Sequence, residues 1–259
     1  MNYSAPFPVP RTVRDEFLSN PFALNMLLGR LSAADRAVLE PHCIRFDLLR
    51  NQRLASPGEP LPMILFPEGG ILSTMSVDGM RTEVGLIGRE GMVGTATLLG
   101  SPEEMFETFV QVDGASAIAI PADVMMSRMA ESHDLRQIMS HYMLYSMLQL
   151  SYSIVSRSNQ MMEARLARWL LMCHDRMPGD EIPLTHEFLA TMISAQRSGV
   201  TVTLHLLEGE GLIRANRGRI TIRDRCGLEA LSGCTYGKAE GSYRELIGHF
   251  GKTKGLVGH

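Results

Sequence analysis

The 259-residue chain is predicted to be an α+β protein: an N-terminal antiparallel β-roll, one long helix, and a C-terminal helix–turn–helix followed by a hairpin. Three observations predict this order. Short apolar runs separated by recurring glycines fill residues 44–120, residues 133–158 contain no glycine or proline, and residues 184–222 alternate between helical and strand patterns. Short strands with frequent turns are typical of small barrels or sandwiches, and a long stretch without breakers favours a helix.

The β region contains five strand-like pieces, which are MILF, GILSTMSV, TEVGLI, TFVQV and SAIAI. Asp78-Gly79 is a hairpin signal between two of them. Residues 1–20 are polar and rich in proline, which indicates a loose arm. Ser32 is a good N-cap for a short helix that precedes the strands.

The long helix carries two apolar stripes, too broad a surface to be covered by one neighbour. One stripe runs through Met139, Met143, Met147, Leu150 and Ile154. The other stripe is the predicted dimerisation surface, made of Leu135, Ile138, Tyr142, Tyr145, Gln149 and Tyr152. We expect one face to pack on the β region and another on a second copy of the chain.

Composition excludes several classes of protein. The chain is 45% hydrophobic and 20% charged, which is enough to bury a core and excludes disorder throughout. Its apolar runs are too short to span a bilayer, and the N-terminus has no signal-peptide pattern, so we expect a cytoplasmic protein without a membrane partner. Four cysteines without C-x-x-C spacing are too few for a disulfide scaffold and do not suggest a metal site.

Charge is distributed unevenly along the chain. Residues 1–130 carry 10 basic and 15 acidic side chains, whereas residues 163–225 carry 9 basic and 8 acidic ones. A contact with nucleic acid, if the protein makes one, is therefore expected in the second half.

Residues 184–222 predict two helices joined by a corner and followed by a hairpin. Thr185 is the N-cap of the first helix, and Ser194-Ala195 is the corner of small residues. The second helix covers about residues 196–208, and residues 216–218 separate two short β pieces. This order is that of a winged helix-turn-helix, whose second helix can enter the major groove of DNA.

The candidate DNA contacts follow from this arrangement. Polar positions on the outer side of the second helix are Gln196, Arg197, Ser198, Thr201 and His205. The hairpin, or wing, offers Arg214, Arg217 and Arg219 for phosphate contacts, and Thr185 completes the predicted set. The alternative is a helical hairpin that contacts proteins, with its arginines on a solvated face.

The chain resembles the Crp/Fnr family of bacterial transcription regulators over about residues 20–232. The segment GREGMVGTATLLG resembles the glycine-rich turn of the family's β-roll, which is a jelly roll of the cyclic-nucleotide-binding type. The most specific match is the DNA-binding pattern, met by Thr185, Leu189, Ala190, Arg197, Val200, Leu204, Glu208, Gly211, Leu212 and Ile213. The resemblance implies a homodimer on a palindromic site, with Arg197 as the base-reading arginine and RNA polymerase as a partner if the protein is an activator.

The resemblance predicts five divisions of the chain. They are an arm at residues 1–20, a sensor or effector β-roll at 21–130, a dimerisation helix at 131–158, a DNA-binding winged helix-turn-helix at 159–232 and a tail at 233–259. Within the tail, Tyr236, Tyr243 and Leu246 suggest a short docked helix.

Two departures from the family pattern concern specificity and ligand. Ser198 stands where the family usually has glutamate, and Val202 where it often has arginine, so the preferred half-site is expected to differ. Cyclic-nucleotide binders of the family have Gly-Glu and then an arginine about ten residues later. Here Thr95 follows Gly94, and no arginine occurs between Arg89 and Arg128. A phosphate placed beside acidic side chains without a partner costs several kcal/mol once desolvated, so cyclic AMP is not expected.

Other effectors remain open. The candidate effector pocket contains Gly94, Thr95, Met105 and Glu107, and an unknown small ligand or none at all is compatible with it. Haem would need an axial ligand such as His42, Cys43, His133 or His141, and thiol sensing would use Cys173 or Cys226. No nucleophile–base spacing, phosphate loop or metal motif predicts an enzyme. The alternative function is a ligand-binding or protein-interaction module whose helix-turn-helix does not read DNA.

Overall fold

The computed structural model describes residues 22–77, 79, 81–112, 115–184 and 186–252. The predicted arm at residues 1–20 and the end of the tail lie outside these ranges. The described residues form two compact units. One comprises the described parts of Met1–Ser73 and Ile87–Met139, and the other those of Thr74–Leu86 and Ser140–His259.

The N-terminal half is an antiparallel roll of two sheets, as predicted. Its strands are Ile44–Leu48 (β1), Arg53–Ala55 (β2), Met63–Pro67 (β3), Ile71–Ser76 (β4), Thr82–Ile87 (β5), Glu107–Val112 (β6) and Ala115–Pro121 (β7). One sheet has the order β1-β7-β3, with Phe46 opposite Ala117 and Leu65 opposite Ala119. The other has the order β2-β6-β4-β5, and the division between the two units passes through β4.

The core of the first unit is made by the inward-facing residues of these strands. In β1, Phe46 and Leu48 are buried while Asp47 between them is exposed, which is the alternation of a strand with one face on the core. The other members of their cluster are Leu54, Ala55, Leu61, Leu65, Leu72, Val93, Val110, Ala117 and Ala119. This apolar burial is the main stabilising contribution to the roll.

Gly94 occupies a position that no other residue could take without rearrangement. It is the N-cap of a short helix and has a left-handed φ of 109°. A Cβ at this position would lie 2.6 Å from Ile64 Cδ1 and 3.1 Å from Leu61 Cδ2. The close approach of this turn to β3 therefore requires glycine.

The α-helices lie before, within and after the roll. They are Ala33–Leu39 (α1), Thr95–Leu98 (α2), Ala122–Glu131 (α3), His133–Asn159 (α4), Met162–His174 (α5), His186–Met192 (α6), Arg197–Gly209 (α7), Arg225–Ser232 (α8) and Lys238–Leu246 (α9). Ser32 caps α1 as predicted, since its side chain accepts a hydrogen bond from the Asp35 backbone N–H. At 1.5 Å per residue, the 27 residues of α4 span about 40 Å. Among the described residues, no helix is both long and apolar enough to cross a membrane.

A small three-stranded sheet accompanies the C-terminal helices. Its strands are Glu181–Ile182 (β8), Ile213–Asn216 (β9) and Arg219–Ile222 (β10), in the order β8-β10-β9. The helix suggested by the aromatic residues of the tail is α9.

Candidate nucleic-acid interface

The helix-turn-helix is formed by α6 and α7, and its corner is held from outside. Ser194 in the corner has a φ of 51°, a left-handed conformation that is costly for a residue with a side chain. The neighbouring carbonyl of Ile193 accepts a hydrogen bond from the Arg165 guanidinium of α5. The Ala195 N–H donates to the Ala190 carbonyl across the corner at 2.9 Å. These contacts fix the backbone at the turn.

The inner face of α7 is apolar, as its sequence spacing predicts. Val200, Leu204 and Leu207 are each no more than 1% exposed. Their spacing of four and three residues places them on one side of the helix. Gly199 lies close to α5, because a Cβ there would be 3.0 Å from Met162 Cε. The recognition helix is therefore packed along one side and leaves the opposite side open.

The outer face of α7 brings together the predicted base contacts. Gln196, Arg197, Ser198 and His205 are exposed. Thr201 is half-buried, and its hydroxyl donates to the Arg197 carbonyl at 3.1 Å. Thr185 lies outside the described residues. The arrangement suits a helix that enters a groove with its N-terminal residues first.

Two apolar side chains on this face are also exposed, and neither is among the predicted DNA contacts. Val202 is 59% exposed and Leu206 is 49% exposed, both unusually open for their type. They lie four and eight residues after Ser198, so the three share one side of the helix. Apolar side chains in the major groove contact the methyl group of thymine. The sequence signal for them is their spacing of four and eight residues from Ser198.

The wing is the hairpin of β9 and β10. Arg219 pairs with Asn216 and Thr221 with Arg214 in register, and Gly218 makes the turn with a φ of 73°. Arg219 donates to Glu181 in β8 at 2.8 Å, an ion pair with both side chains exposed. Arg214 and Arg217 are exposed and have no carboxylate partner in the part of the chain that the structure describes. They are therefore better placed than Arg219 to meet phosphate.

The predicted dimerisation stripe requires correction. Leu135, Tyr142, Tyr145 and Gln149 are at most 3% exposed, and Ile138 and Tyr152 are half-buried. The Tyr145 ring packs edge-on against Tyr243 and Phe250, with ring centroids 5.0 and 5.9 Å away. Its hydroxyl accepts hydrogen bonds from Gln149 and Arg176. The protomer's own residues cover this face, so it offers little surface to a second copy.

A different stripe of α4 is exposed. Its members are Gln137, Ser140, Leu144, Met147, Ser151, Ile154 and Ser158. They follow one another at alternating intervals of three and four residues, which is the spacing of a coiled-coil seam. Met147 and Ile154 are 65% and 59% exposed.

The β-roll contains a cavity whose lining differs from the residues predicted for an effector pocket. A cavity of about 260 Å³ is lined by Arg53, Leu54, Ala55, Ser56, Glu59, Pro60, Leu61 and Glu104. Of the predicted set, Gly94 touches the lining through its closeness to Leu61, and Glu107 forms an ion pair with Arg53 at 3.2 Å. Thr95 begins α2 and is not part of the lining, and Met105 is largely exposed.

The candidate haem and thiol residues are scattered. Burial raises the pKa of Cys43 to about 12, and its thiol donates to the Leu39 carbonyl, so it is held as a neutral thiol. His141 Nδ1 lies 3.1 Å from the Leu246 carbonyl. Cys173 is buried and Cys226 is exposed. Among the described residues, no three histidine, cysteine or acidic side chains are grouped as metal ligands.

Comparison with known proteins agrees with this geometry. Residues 164–231 match the Crp-like helix-turn-helix domain. The Global nitrogen regulator of Synechococcus elongatus is 26% identical over 183 residues, which cover 67% of this chain and 82% of that protein.

Two solved structures share the fold at low identity. FixK2 from Bradyrhizobium japonicum has a TM-score of 0.64 at 14% identity, over 74% of this chain and 98% of that one. A Crp/Fnr-family transcriptional regulator from Thermus thermophilus has a TM-score of 0.60 at 20% identity, over 73% and 97%. The chain therefore contains a Crp-like helix-turn-helix domain at residues 164–231 and shares the fold of these two proteins over most of its length.

Proposed function

We propose that the protein binds DNA sequence-specifically as a homodimer on a palindromic site. The observation that carries this proposal is the open outer face of α7, where Arg197, Ser198 and His205 are exposed above a packed apolar face. Arginine bound in bidentate fashion to guanine is the commonest specific base contact. Arg214 and Arg217 on the wing supply phosphate contacts beside it.

The exposed stripe of α4 supports the dimer. Two copies of a helix with apolar and small residues at alternating intervals of three and four pack along one seam. Leu144, Met147 and Ile154 would lie at the centre of that seam. A two-fold axis along it would relate two recognition helices, and such dimers select half-sites about one turn, ~34 Å, apart.

The β-roll cavity supports independence from cyclic nucleotides. Its charged lining consists of Arg53, Glu59 and Glu104. Arg53 already forms an ion pair with Glu107, so a cyclic phosphate would meet excess negative charge. The proposed regulator therefore reads its DNA site without cyclic AMP.

Selection of binding sites from a random pool of DNA duplexes tests this function. The purified, ligand-free chain is used at a fixed salt concentration, with and without cyclic AMP. We expect a palindromic motif of two half-sites, unchanged by cyclic AMP. A single half-site would contradict the dimer, and a motif that appears only with cyclic AMP would contradict independence. No enrichment would instead favour a protein-interaction module.

A further inference from the structure

A cleft in the second unit gathers arginines around the corner of the helix-turn-helix. It is a small cavity of about 30 Å³ whose lining includes Glu83, Arg157, Arg165, Arg168, Trp169 and Ile193. These residues come from β5, the end of α4, α5 and the corner after α6. None of them belongs to the predicted DNA contacts or to the β-roll cavity.

The charges of the cleft are unbalanced. Three guanidinium groups face a single carboxylate, that of Glu83, which also accepts a hydrogen bond from Trp169 Nε1 at 2.7 Å. Burial lowers the pKa of Arg157, Arg165 and Arg168, and for Arg157 the nearby Arg165 adds repulsion. The carboxyl group of Glu240 on α9 also attracts Arg168 electrostatically, but Glu240 does not line the cleft. Burial raises the pKa of Glu240.

The hydrogen bonds of these arginines go to backbone carbonyls. Arg168 donates to Thr235 at 2.9 Å and to Gln149 at 3.2 Å. Arg157 donates to the carbonyls of Glu83 and Met192, and Arg165 donates to that of Ile193. A carbonyl oxygen is a weaker partner for a guanidinium than an oxyanion, because the oxyanion carries a full negative charge and can accept two parallel hydrogen bonds.

Access to the cleft is possible from one side. Arg168 is buried, whereas Arg157 and Arg165 are only partly buried. An anion could therefore reach the guanidinium groups from solvent at Arg157 and Arg165. The small volume limits the enclosed part of a ligand to one compact group.

We propose that this cleft binds a phosphate group of a small effector, held by Arg157, Arg165 and Arg168. A phosphate monoester carries about −1.5 to −2 charges at pH 7, which would balance the two excess positive charges of the lining. Guanidinium groups match its oxygens in bidentate geometry. Because Arg157 and Arg165 would exchange the Met192 and Ile193 carbonyls for phosphate, binding would release the backbone next to Ser194. Any effect of this release on DNA reading rests on the proposed function.

Trp169 provides the test, because it is the only tryptophan of the chain and lines the cleft. The full-length protein is titrated with inorganic phosphate at constant ionic strength, without DNA, and tryptophan fluorescence is followed. We expect a saturable change that an equivalent addition of chloride does not produce. Arg165→Gln should weaken the apparent affinity by roughly 10-fold or more, the loss expected for one charged hydrogen bond. Arg50→Gln, at an exposed site in the first unit, should leave it unchanged.

Thermal melting of each variant separates loss of the site from loss of the fold. If Arg165→Gln has a clearly lower melting temperature than the unaltered protein, Arg157→Gln replaces it in the titration. The site is wrong if phosphate gives no saturation, or if both arginine variants bind it like the unaltered protein. Equal saturation by succinate would overturn the assignment to phosphate. A change seen with duplex DNA but not with free phosphate would show that these arginines face the DNA backbone instead. The titration without DNA can fail while site selection succeeds, so the two proposals are tested separately.

Discussion

Glu208, near the end of α7, accepts a hydrogen bond from the backbone N–H of Ala215 in β9, with an Oε1–N distance of 3.0 Å. The bond joins the recognition helix directly to the wing. It gives a physical role to a glutamate that the sequence identifies only as part of the family pattern. The orientation of Arg214 and Arg217 relative to the base-reading face depends on this connection.

Glu208→Ala should therefore loosen the wing. Because the side chain is half-buried, we expect a loss of about 1 kcal/mol in the free energy of unfolding, together with weaker DNA binding. Glu208→Gln keeps an acceptor oxygen and should restore most of both. Chemical denaturation and DNA titration measure the effects, with the exposed Glu210→Ala as the control. Equal behaviour of the Ala and Gln variants would argue against the role of this bond.

Arg197→Ala should reduce both affinity and discrimination. Loss of a bidentate base contact costs about 1–3 kcal/mol at the cognate site and relaxes the preference at that base pair. Binding to the selected site and to single-base variants of it measures both effects. An unchanged order of preference among these sites would remove Arg197 from the base-reading role.

Val202→Ala should lower discrimination mainly against sites that lack a thymine.

The wing arginines should differ in how much each contributes to DNA binding. Arg217→Ala should weaken binding about evenly across sequences and reduce the salt slope of log K by about one unit, as for one lost phosphate contact. Arg219→Ala should have a smaller effect, because Arg219 is already engaged by Glu181 at 2.8 Å. Titrations at several salt concentrations compare the two. A larger loss for Arg219 would indicate that the ion pair with Glu181 breaks on DNA.

The recognition helix was predictable because its apolar spacing, its corner and its wing are all local in sequence. The exposed face of α4 was not, because α4 has two apolar stripes and the periodicity of one helix does not say which stripe a neighbour covers. Tyr145 is covered by Tyr243 and Phe250, about one hundred residues later in the chain. The lining of the β-roll cavity was not predictable for a related reason, since Arg53 and Glu104 are brought together only by the pairing of distant strands.

Met147→Glu tests the dimer surface proposed on the exposed stripe of α4. Met147 is 65% exposed on the open stripe of α4, so the change should not disturb the protomer. Two like charges facing one another across a seam of apolar side chains are strongly unfavourable, and we expect a shift from dimer to monomer in sedimentation equilibrium. Met126→Glu, at an exposed position of α3, is the matched control and should stay dimeric. A dimeric Met147→Glu variant would place the interface elsewhere.

His174 should make stability depend on pH. Its Nε2 lies 2.8 Å from Asp180 and its Nδ1 lies 3.1 Å from an Arg225 nitrogen, so Nδ1 must accept and the ring is neutral. Burial lowers the pKa of His174 below its ordinary value of 6.5, and the positive charges of Lys252 and Arg225 act in the same direction, against the hydrogen bond with Asp180. The unfolded chain then binds more protons between the two pKa values.

The stabilisation is therefore complete above about pH 6.5 and is lost as the pH falls from there towards the lower pKa of the folded state. Urea unfolding between about pH 5 and 8 should show this decline in the unaltered protein. His174→Gln should flatten the curve over this range, since glutamine does not titrate, whereas the exposed His133→Gln should keep it. A decline that persists unchanged in His174→Gln would assign the pH dependence to another group.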